Sequence, residues 1–254
     1  MKLPVHRIIP FSNVDGMGNR TSIFVQGCNA NCLYCHNPET IAMKSDIAKL
    51  FSIDELLAVI KSNMPFIRGI TVSGGEATLY KCFLVELFKR VYELGLTCYI
   101  DTNGFYNKDD MQELIANTDK FLYDIKGIGK SLKLLCFSSF QQVGSALAFN
   151  NSERFVTNNE HFSNLQHLLK IDKVEEVRLV YIKGYYDAKK VLEKIAEVLK
   201  PYPHVLLKLI RVHARGLPKE RAVKLKGSIP SQTELAELER YARSLELKNI
   251  VTIY

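Results

Sequence analysis

The chain predicts an α/β fold in which a parallel sheet is covered by outer helices. Over its 254 residues, β-branched runs alternate with amphipathic helical stretches, and about six strand–helix units can be counted, fewer than the eight of a closed barrel. The glycine-rich and charged motifs follow the strand-like runs, and such strand ends form the active-site face of parallel α/β folds. We therefore expect one domain, residues 1–254, with its functional site at that edge.

The elements follow from local patterns taken in order. Thr21 to Gln26 is a β-branched and aromatic run that ends at Gly27 and a cysteine loop, so it predicts the first strand. Ser52 opens a helix, with Glu55 at the capping-box position. The other predicted strands are 69–73, 97–100, 121–125, 177–182, 205–210 and 250–254, and the other predicted helices are 83–94, 109–116, 188–199 and 232–245.

The composition is that of an ordinary globular protein with an uneven basic charge. The net charge is +7, and the stretch from Lys200 to Lys226 holds eight basic residues against one acidic residue. A solvated basic face is the commoner explanation, and Tyr202 is the only aromatic residue interleaved with these charges, so we expect no nucleic-acid partner.

No apolar run approaches the roughly 18 residues of a membrane span, and the amino terminus lacks a signal-peptide pattern, so we expect a cytoplasmic protein that does not enter the membrane.

The most informative stretch is the loop from Gly27 to Asn37, which reads G-C-N-A-N-C-L-Y-C-H-N. Cys28, Cys32 and Cys35 are spaced so that one tight loop can direct three thiolates at a single inorganic core. Iron–sulfur cubanes normally have four thiolate ligands, so three predict one iron that is free to bind something other than protein. The other cysteines, Cys82, Cys98 and Cys136, have no ligand spacing, and we expect them to be buried apolar side chains.

Two other interpretations of this loop stay open. Cys32 to His36 is a C-x-x-C-H haem-attachment pattern, and three cysteines with His36 could complete a tetrahedral zinc site. Haem attachment requires an exported chain, whose signal is missing here. Zinc sites usually take ligands from two separated knuckles, and no second Cys/His pair follows this loop.

The C-x-x-x-C-x-x-C pattern with Tyr34 before its last cysteine resembles the radical S-adenosylmethionine (radical SAM) superfamily. The continuation His36-Asn37-Pro38-Glu39 resembles its glycyl-radical-enzyme activases, and the segments 7–12 and 14–20 resemble the start of YjjW-type activases, with Met17 where relatives usually carry proline. Between Cys35 and Cys82 there is no cysteine, so the ferredoxin-like insert of YjjW-type activases is missing. The chain therefore resembles the shorter pyruvate formate-lyase activase with YjjW-like flanks.

This resemblance implies a partial (β/α)6 TIM-like barrel that carries one [4Fe-4S] cluster on Cys28, Cys32 and Cys35. The open iron would chelate S-adenosylmethionine, whose reductive cleavage gives a 5′-deoxyadenosyl radical that takes a hydrogen atom from a glycine of a partner glycyl radical enzyme. It also implies a flavodoxin or ferredoxin-type electron donor and a monomer. The alternative is a radical SAM enzyme that acts on a small molecule. Neither function requires a general base or nucleophile from the protein.

By the same resemblance, other residues would contact S-adenosylmethionine. Gly74-Gly75-Glu76 resembles the methionine-binding motif, Asp124-Ile125-Lys126 the Asp-x-Lys segment of activases, and Arg178 an arginine that engages the carboxylate. Tyr34 and His36 would meet the adenine, and His213 the ribose or adenine. Taken without the resemblance, these are a tight turn, a structural ion pair, a charge on an edge strand and a surface histidine.

Three further expectations are less specific. Asp101, Thr102 and Asp124 are hard oxygen donors that could hold a monovalent cation near the carboxylate of S-adenosylmethionine, although turn formation explains them equally well. Residues 127–152 are low in charge and rich in Ser and Phe, and we expect a family-specific insertion there. Asp15 and the segment to Arg20 are candidates for gripping the partner's glycine loop.

Overall fold

The computed structural model describes residues 1–137 and 152–254, and a nine-stranded sheet runs through this described part. The strands are β1 (Leu3–Ser12), β2 (Arg20–Val25), β3 (Lys49–Phe51), β4 (Gly69–Gly74), β5 (Thr97–Thr102), β6 (Lys120–Ile125), β7 (Val174–Tyr181), β8 (Leu206–Arg211) and β9 (Ile250–Ile253). Their order is β3-β1-β2-β4-β5-β6-β7-β8-β9. From β2 through β9 every neighbouring pair is parallel, while β1 pairs antiparallel with both β2 and β3.

Helices connect the parallel strands. The α-helices of the described residues are α1 (Ile53–Asn63), α2 (Lys81–Tyr92), α3 (Gln112–Ala116), α4 (Gly129–Leu132), α5 (Ser152–Asn158), α6 (Glu160–Lys170), α7 (Ala188–Leu199), α8 (Lys219–Leu225) and α9 (Gln232–Ser244). Shorter pieces are the 3₁₀ turns Pro38–Thr40, Met64–Phe66, Ala77–Tyr80 and Asp109–Met111 and a π-helical turn, Lys133–Phe137. Six strand–helix units followed by β9 make up the parallel part, which confirms the predicted partial (β/α)6 architecture.

The start of α1 shows how local sequence fixes an element. Ser52 accepts a hydrogen bond from the Glu55 backbone N–H, and the Glu55 carboxylate accepts one from the Ser52 N–H at 2.7 Å, so the predicted capping box is confirmed. Such a cap stabilises a helix by about 1 kcal/mol.

The two faces of the parallel strands differ in character. Residues such as Ile70 and Val72 of β4 are fully buried and pack with the helices in the main apolar core. The alternate residues face the lumen and are polar: Ser73 donates a hydrogen bond to Asp101 of β5 at 3.0 Å. Side chains alternate between the two faces of a strand. When the apolar residues of the parallel strands pack against the helices, the polar residues therefore meet on the inner face of the sheet.

Some predictions from local pattern were incomplete. The sequence analysis did not predict β1, β3, α6 or α8. β1 was missed because it contains Pro4 and Pro10 and is ordered by its pairing with β2. The prediction that Cys82 is buried is wrong, because Cys82 lies on the solvent side of α2, whereas Cys98 and Cys136 are buried. The predicted insertion 127–152 includes residues 138–151, which lie outside the described residues, so it stays a prediction. No helix of the described chain is long and apolar enough to cross a membrane.

Candidate active site

A cavity of about 200 Å³ at the carboxyl edge of the parallel strands brings together most of the predicted site residues. The predicted residues that line it are Cys28, Cys32, Tyr34, Cys35, His36, Gly74, Gly75, Glu76, Asp101, Thr102, Asp124, Lys126 and Arg178. Two predicted residues do not line it: Ile125 belongs to the main apolar core, and His213 is exposed beside the cavity. Thus chain segments as far apart as Cys28 and Arg178 meet in one place.

The cysteine loop is held by backbone hydrogen bonds on both of its sides. On one side, the N–H groups of Gly27 and Cys28 donate to the carbonyls of Thr40 and Ile41 at 2.8 and 3.1 Å. On the other side, the residues flanking Cys32 are bonded to the π-helical turn: Asn31 N–H donates to Cys136 and Leu33 N–H to Leu135, both at 2.8 Å. The thiols are therefore carried on a fixed backbone.

Arg221 of α8 fastens the same loop from the far end of the chain. Its guanidinium donates to the backbone carbonyl of Cys32 at 2.7 Å and to the side-chain oxygen of Asn31. Sequence reasoning missed this role because Arg221 is one of eight basic residues in a run. Nothing in that run marks it, since the contact joins residues 189 positions apart.

The three thiols have different electrostatic surroundings. Burial raises the pKa of Cys28, and it raises the pKa of Cys35 to about 11. The pKa of Cys32 is lowered instead, chiefly because the Cys136 thiol hydrogen-bonds to it, against the effect of burial. Bound iron would deprotonate all three thiols, as metal ions do with thiol ligands.

The arrangement of the donors fits a cluster. Among the described residues, no three His, Cys, Asp or Glu side chains converge on a single metal-ion position. In a cubane each thiolate binds a different iron, so the ligands must stand apart around one cavity. Cys28, Cys32 and Cys35 all line one cavity, as such ligands must.

Gly74 and Gly75 bring the end of β4 against the cysteine loop. Gly74 has φ +110°, and a Cβ there would lie 2.3 Å from the Val25 nitrogen; a Cβ on Gly75 would lie 2.0 Å from the Gly27 carbonyl oxygen. The N–H groups of Gly75 and Glu76 donate to Val25 and Gly27, both at 2.9 Å. These glycines are thus required for contact between two strand ends, a reason that the motif alone did not give.

Glu76 is a buried carboxylate, 1% exposed, with several protein donors. Its Oε1 accepts from the Thr78 N–H, the Thr78 hydroxyl and the Thr102 hydroxyl, at 3.1, 2.6 and 2.8 Å. Among the described residues, its Oε2 accepts only from the Asn103 N–H, at 2.9 Å. Burial raises the pKa of Glu76, and these hydrogen bonds oppose the shift. Since a carboxylate has about four acceptor positions, Oε2 retains capacity for one further donor.

Across the cavity lies a set of six charged groups, which we call the ion-pair set: Asp101, Asp124, Lys126, Glu176, Arg178 and Lys208. Lys126 pairs with Asp124 at 2.5 Å, and Arg178 pairs with both Asp101 at 2.9 Å and Glu176 at 2.5 Å. Lys208 pairs with Glu176 at 2.6 Å. Burial raises the pKa of Asp101 to about 6, against the effect of Arg178.

Sequence reasoning missed Glu176 and Lys208 of this set. Strand register would have identified them. Glu176 precedes Arg178 by two residues on β7, so both side chains lie on the same face, and Lys208 of β8 is the register partner of Arg178. These residues share the lumen face with Asp124, which pairs with Arg178 across β6 and β7.

The aromatic predictions fall on the rim. The rings of His36 and His213 are stacked, with centroids 4.2 Å apart and planes 16° apart. The pKa of His36 is lowered to about 4 by burial and by His213, so the ring is neutral at pH 7. Tyr34 is buried, and the Lys126 ammonium lies 5.8 Å from its ring centroid.

The segment from Asp15 to Arg20 lies at the amino edge, away from the cysteine loop. The Asp15 carboxylate accepts from the hydroxyls of Ser12 and Ser22, at 2.6 and 2.7 Å. Arg20 is 1% exposed, and its guanidinium lies over the Tyr99 ring and donates to the Thr71 hydroxyl oxygen and the Ile70 carbonyl within the fold. Arg20 is therefore a structural side chain, and Asp15 alone of this pair keeps partial exposure.

Comparison with known proteins agrees with this geometry. A family model described as a 4Fe-4S single cluster domain matches residues 14–140. A Haemophilus influenzae protein with the provisional name of a glycyl-radical enzyme activating enzyme is 48% identical over 255 residues, which cover 99% of this chain and 97% of that protein. A Clostridium pasteurianum protein named pyruvate formate-lyase-activating enzyme is 29% identical, covering 95% and 97%. Among solved structures, QueE from Escherichia coli matches 99% of this chain and 94% of its own with a TM-score of 0.54 and 15% identity, a likeness of fold.

Proposed function

The chain belongs to the family of glycyl-radical enzyme activating enzymes, and from this premise we propose how its own residues carry out the reaction. The enzyme reductively cleaves S-adenosylmethionine at a [4Fe-4S] cluster and uses the resulting radical to abstract a hydrogen atom from a glycine of a partner enzyme. One observation supports the residue assignments most: three loop thiols, a glycine turn and paired charges line one cavity. The small-molecule alternative has no comparable support, because both relatives described above carry activating-enzyme names.

Cys28, Cys32 and Cys35 would hold the cluster, with the loop fixed by Arg221 and by the π-helical turn. When bound, the cluster and S-adenosylmethionine together supply the one-electron chemistry, and the protein binds, orients and excludes water. The apolar wall behind the loop, which includes Ala30, Phe105 and Leu135, supports the last of these tasks.

The remaining assignments place different groups of S-adenosylmethionine against different sides of the cavity. The free acceptor position of Glu76 Oε2 suits the ammonium group, and Lys126 and Arg178 suit the carboxylate. Tyr34, His36 and His213 would meet the adenosine, because they form the aromatic rim. Asp101, Thr102 and Asp124 are retained as candidate ligands of a monovalent cation beside that carboxylate.

The partner is a glycyl radical enzyme, whose glycine must reach this cavity. The open sheet, in which the described edge strands β3 and β9 do not pair with each other, supports access for a peptide loop. Asp15, which is partly exposed, and Met17, which is exposed, are the residues of the segment 15–20 that remain candidates for gripping the partner, from the amino edge of the sheet. We retain residues 1–254 as one domain, acting as a monomer.

We further propose that the electron comes from an acidic flavodoxin or ferredoxin-type protein that docks beside the cysteine loop. Exposed basic side chains lie on or next to the two elements that contact residues 31–33. Lys133 begins the π-helical turn, Lys130 lies on α4 just before it, and Lys219 and Lys224 lie on α8. Charge complementarity of this kind accelerates association and makes its rate depend on salt.

The function is tested by anaerobic reconstitution. We expect about four irons per chain, S-adenosylmethionine cleavage on reduction, and a glycine-centred doublet in the electron paramagnetic resonance spectrum once the partner is added. Cys32→Ala should lose the cluster and the doublet together, while Cys82→Ala, which changes an exposed cysteine, should keep both. An intact four-iron cluster in Cys32→Ala would refute the ligand assignment.

The donor surface is tested with the hydroquinone of a bacterial flavodoxin, which gives one electron and becomes the semiquinone. The double variant Lys219→Glu/Lys224→Glu should slow cluster reduction about tenfold at low salt, whereas Lys248→Glu, two residues before β9 on the amino edge, should not. Reduction by dithionite should be the same in all three proteins. Equal flavodoxin rates in the double variant and the wild type would exclude this surface.

A further inference from the structure

The π-helical turn places a fourth cysteine against the cysteine loop. The sulfur atoms of Cys136 and Cys32 are 3.2 Å apart, in hydrogen-bond contact, although 104 residues separate them in the chain. Cys136 is fully buried, and Cys32 is 8% exposed. The family spacing of the loop does not include Cys136.

The contact is built by backbone on both sides. Asn31 and Leu33, which flank Cys32, donate their N–H groups to Cys136 and Leu135, so the two segments run paired past the sulfur atoms. Leu132 and Phe137 enclose the pair in an apolar cluster with Phe105. The two sulfurs cannot drift apart without breaking this pairing.

Cys136 is too close to Cys32 to be a ligand of its own. The thiolates of a cubane bind different irons and point away from one another, so two sulfurs in contact cannot serve two irons of one cluster. With Cys32 bound to iron as the thiolate, Cys136 keeps its proton and is the donor of the pair.

We propose, on the basis of the proposed function, that Cys136 is a positioning residue whose S–H donates to the Cys32 ligand and raises the reduction potential of the cluster. Reduction adds negative charge that spreads onto the ligand sulfurs, and a donor to a sulfur stabilises that charge. The apolar enclosure makes the hydrogen bond stronger than it is in water, and it keeps water from replacing the lost donor.

The first test is a redox titration of the cluster without S-adenosylmethionine, followed by electron paramagnetic resonance. Cys136→Ala should lower the ratio of reduced to oxidised cluster about tenfold at a fixed potential, which corresponds to a midpoint about 59 mV more negative for one electron. Cys136→Ser keeps a donor and should restore most of that shift, and Cys82→Ser should have none. An unchanged midpoint in Cys136→Ala overturns the proposal.

The second test uses the iron-free reduced chain and does not depend on activity. Diamide takes two electrons and two protons from a pair of thiols, is reduced to the hydrazine, and leaves a disulfide. Peptide mapping should find Cys32 joined to Cys136, because their sulfurs need only approach from 3.2 Å. A dominant link from Cys32 to Cys28 or Cys35, with Cys136 still open to alkylation, contradicts the contact.

Failure of this inference can be told apart from failure of the proposed function. A Cys136→Ala protein with about four irons, a glycyl radical and a wild-type midpoint refutes the inference alone. A Cys136→Ser protein that loses one iron site would make Cys136 a ligand, against the inference and against the open iron. A wild-type protein without a cluster refutes the function.

Discussion

Two sides of one cavity hold their charges in different ways. On one side the Glu76 carboxylate accepts four hydrogen bonds from Thr78, Thr102 and Asn103, two of them from backbone N–H groups, and its Oε2 keeps one acceptor position. On the other side the ion-pair set consists of side chains paired with each other, and Lys126 and Asp124 keep 15% and 21% of their side chains exposed. Both sides were identified from short motifs.

The difference indicates separate duties. The Glu76 carboxylate ties the turn after β4 to the turn after β5, so it contributes to the fold in addition to the one acceptor position that it offers to a ligand. Side chains that neutralise one another in a partly solvated cavity can exchange partners with a charged ligand at little cost, since each retains an opposite charge nearby. We therefore expect the ion-pair set to rearrange more than Glu76 when S-adenosylmethionine binds.

The largest effect that would separate the two sides is on stability. Glu76→Ala leaves the Thr78 and Asn103 N–H groups buried without an acceptor, which we expect to lower the free energy of unfolding by about 3 kcal/mol. Urea denaturation of the iron-free reduced protein measures it. Glu220→Ala, whose side chain is 82% exposed on α8, is the control and should change stability by less than about 0.5 kcal/mol. If Glu76→Ala keeps wild-type stability but loses S-adenosylmethionine binding, then the main role of Glu76 is in ligand binding and not in the fold.

A second test of the Lys126 side is the pH dependence of stability, because the buried His161 is bonded to Gly127, the residue that follows Lys126. His161 is buried, and its Nε2–H donates to the Gly127 carbonyl at 3.0 Å; burial lowers its pKa to about 4 from the usual 6.5. The unfolded chain therefore binds the proton more readily, so the stability from neutral His161 is complete above pH 6.5 and is lost as the pH falls toward 4. The loss should reach about 3 kcal/mol.

The measurement is the difference in unfolding free energy between wild type and His161→Gln at each pH. This difference should change with pH between 6.5 and 4, because glutamine keeps a donor for Gly127 but does not titrate. A pH-independent difference would mean that His161 is protonated equally in both states.

Ligand affinity should change most at Lys126. Lys126→Ala removes the cation nearest Tyr34 and should raise the dissociation constant of S-adenosylmethionine about 10-fold to 100-fold, or about 1.4–2.7 kcal/mol. Lys208→Ala is the matched control, since Lys208 belongs to the same ion-pair set but does not line the cavity. Anaerobic calorimetry on the cluster-loaded protein gives both constants. Equal dissociation constants of S-adenosylmethionine for Lys126→Ala and Lys208→Ala would mean that Lys126 has a structural role and no specific contact with the ligand.

The smallest effect is expected at Arg178. Arg178→Lys keeps the charge, but an ammonium cannot donate to Glu176 and Asp101 with the fixed fork of a guanidinium, so we expect a rise of about threefold in the same dissociation constant. A larger rise than that of Lys126→Ala would reverse the order of the two residues.

Much of this site could be predicted because its residues sit in contiguous motifs. Cys28 to His36 and Gly74 to Glu76 each occupy one loop, and parallel strands bring such loops to one edge. The partners that come from distant segments could not be predicted: Arg221 on the loop, Glu176 and Lys208 in the ion-pair set, and Cys136 on Cys32. Each is an ordinary residue locally, and its role depends on a contact across the fold.

The amino-acid sequence by itself determined the family and the α/β architecture and supplied the prediction of the cluster ligands, because periodicity and loop spacing are local properties that survive without tertiary contacts. The tertiary structure alone decided which charges pair, which donors the Glu76 carboxylate accepts, and which thiol contacts Cys32. The physical reason is that hydrogen bonds and ion pairs act over a few ångströms, so their partners are set by strand register and loop packing.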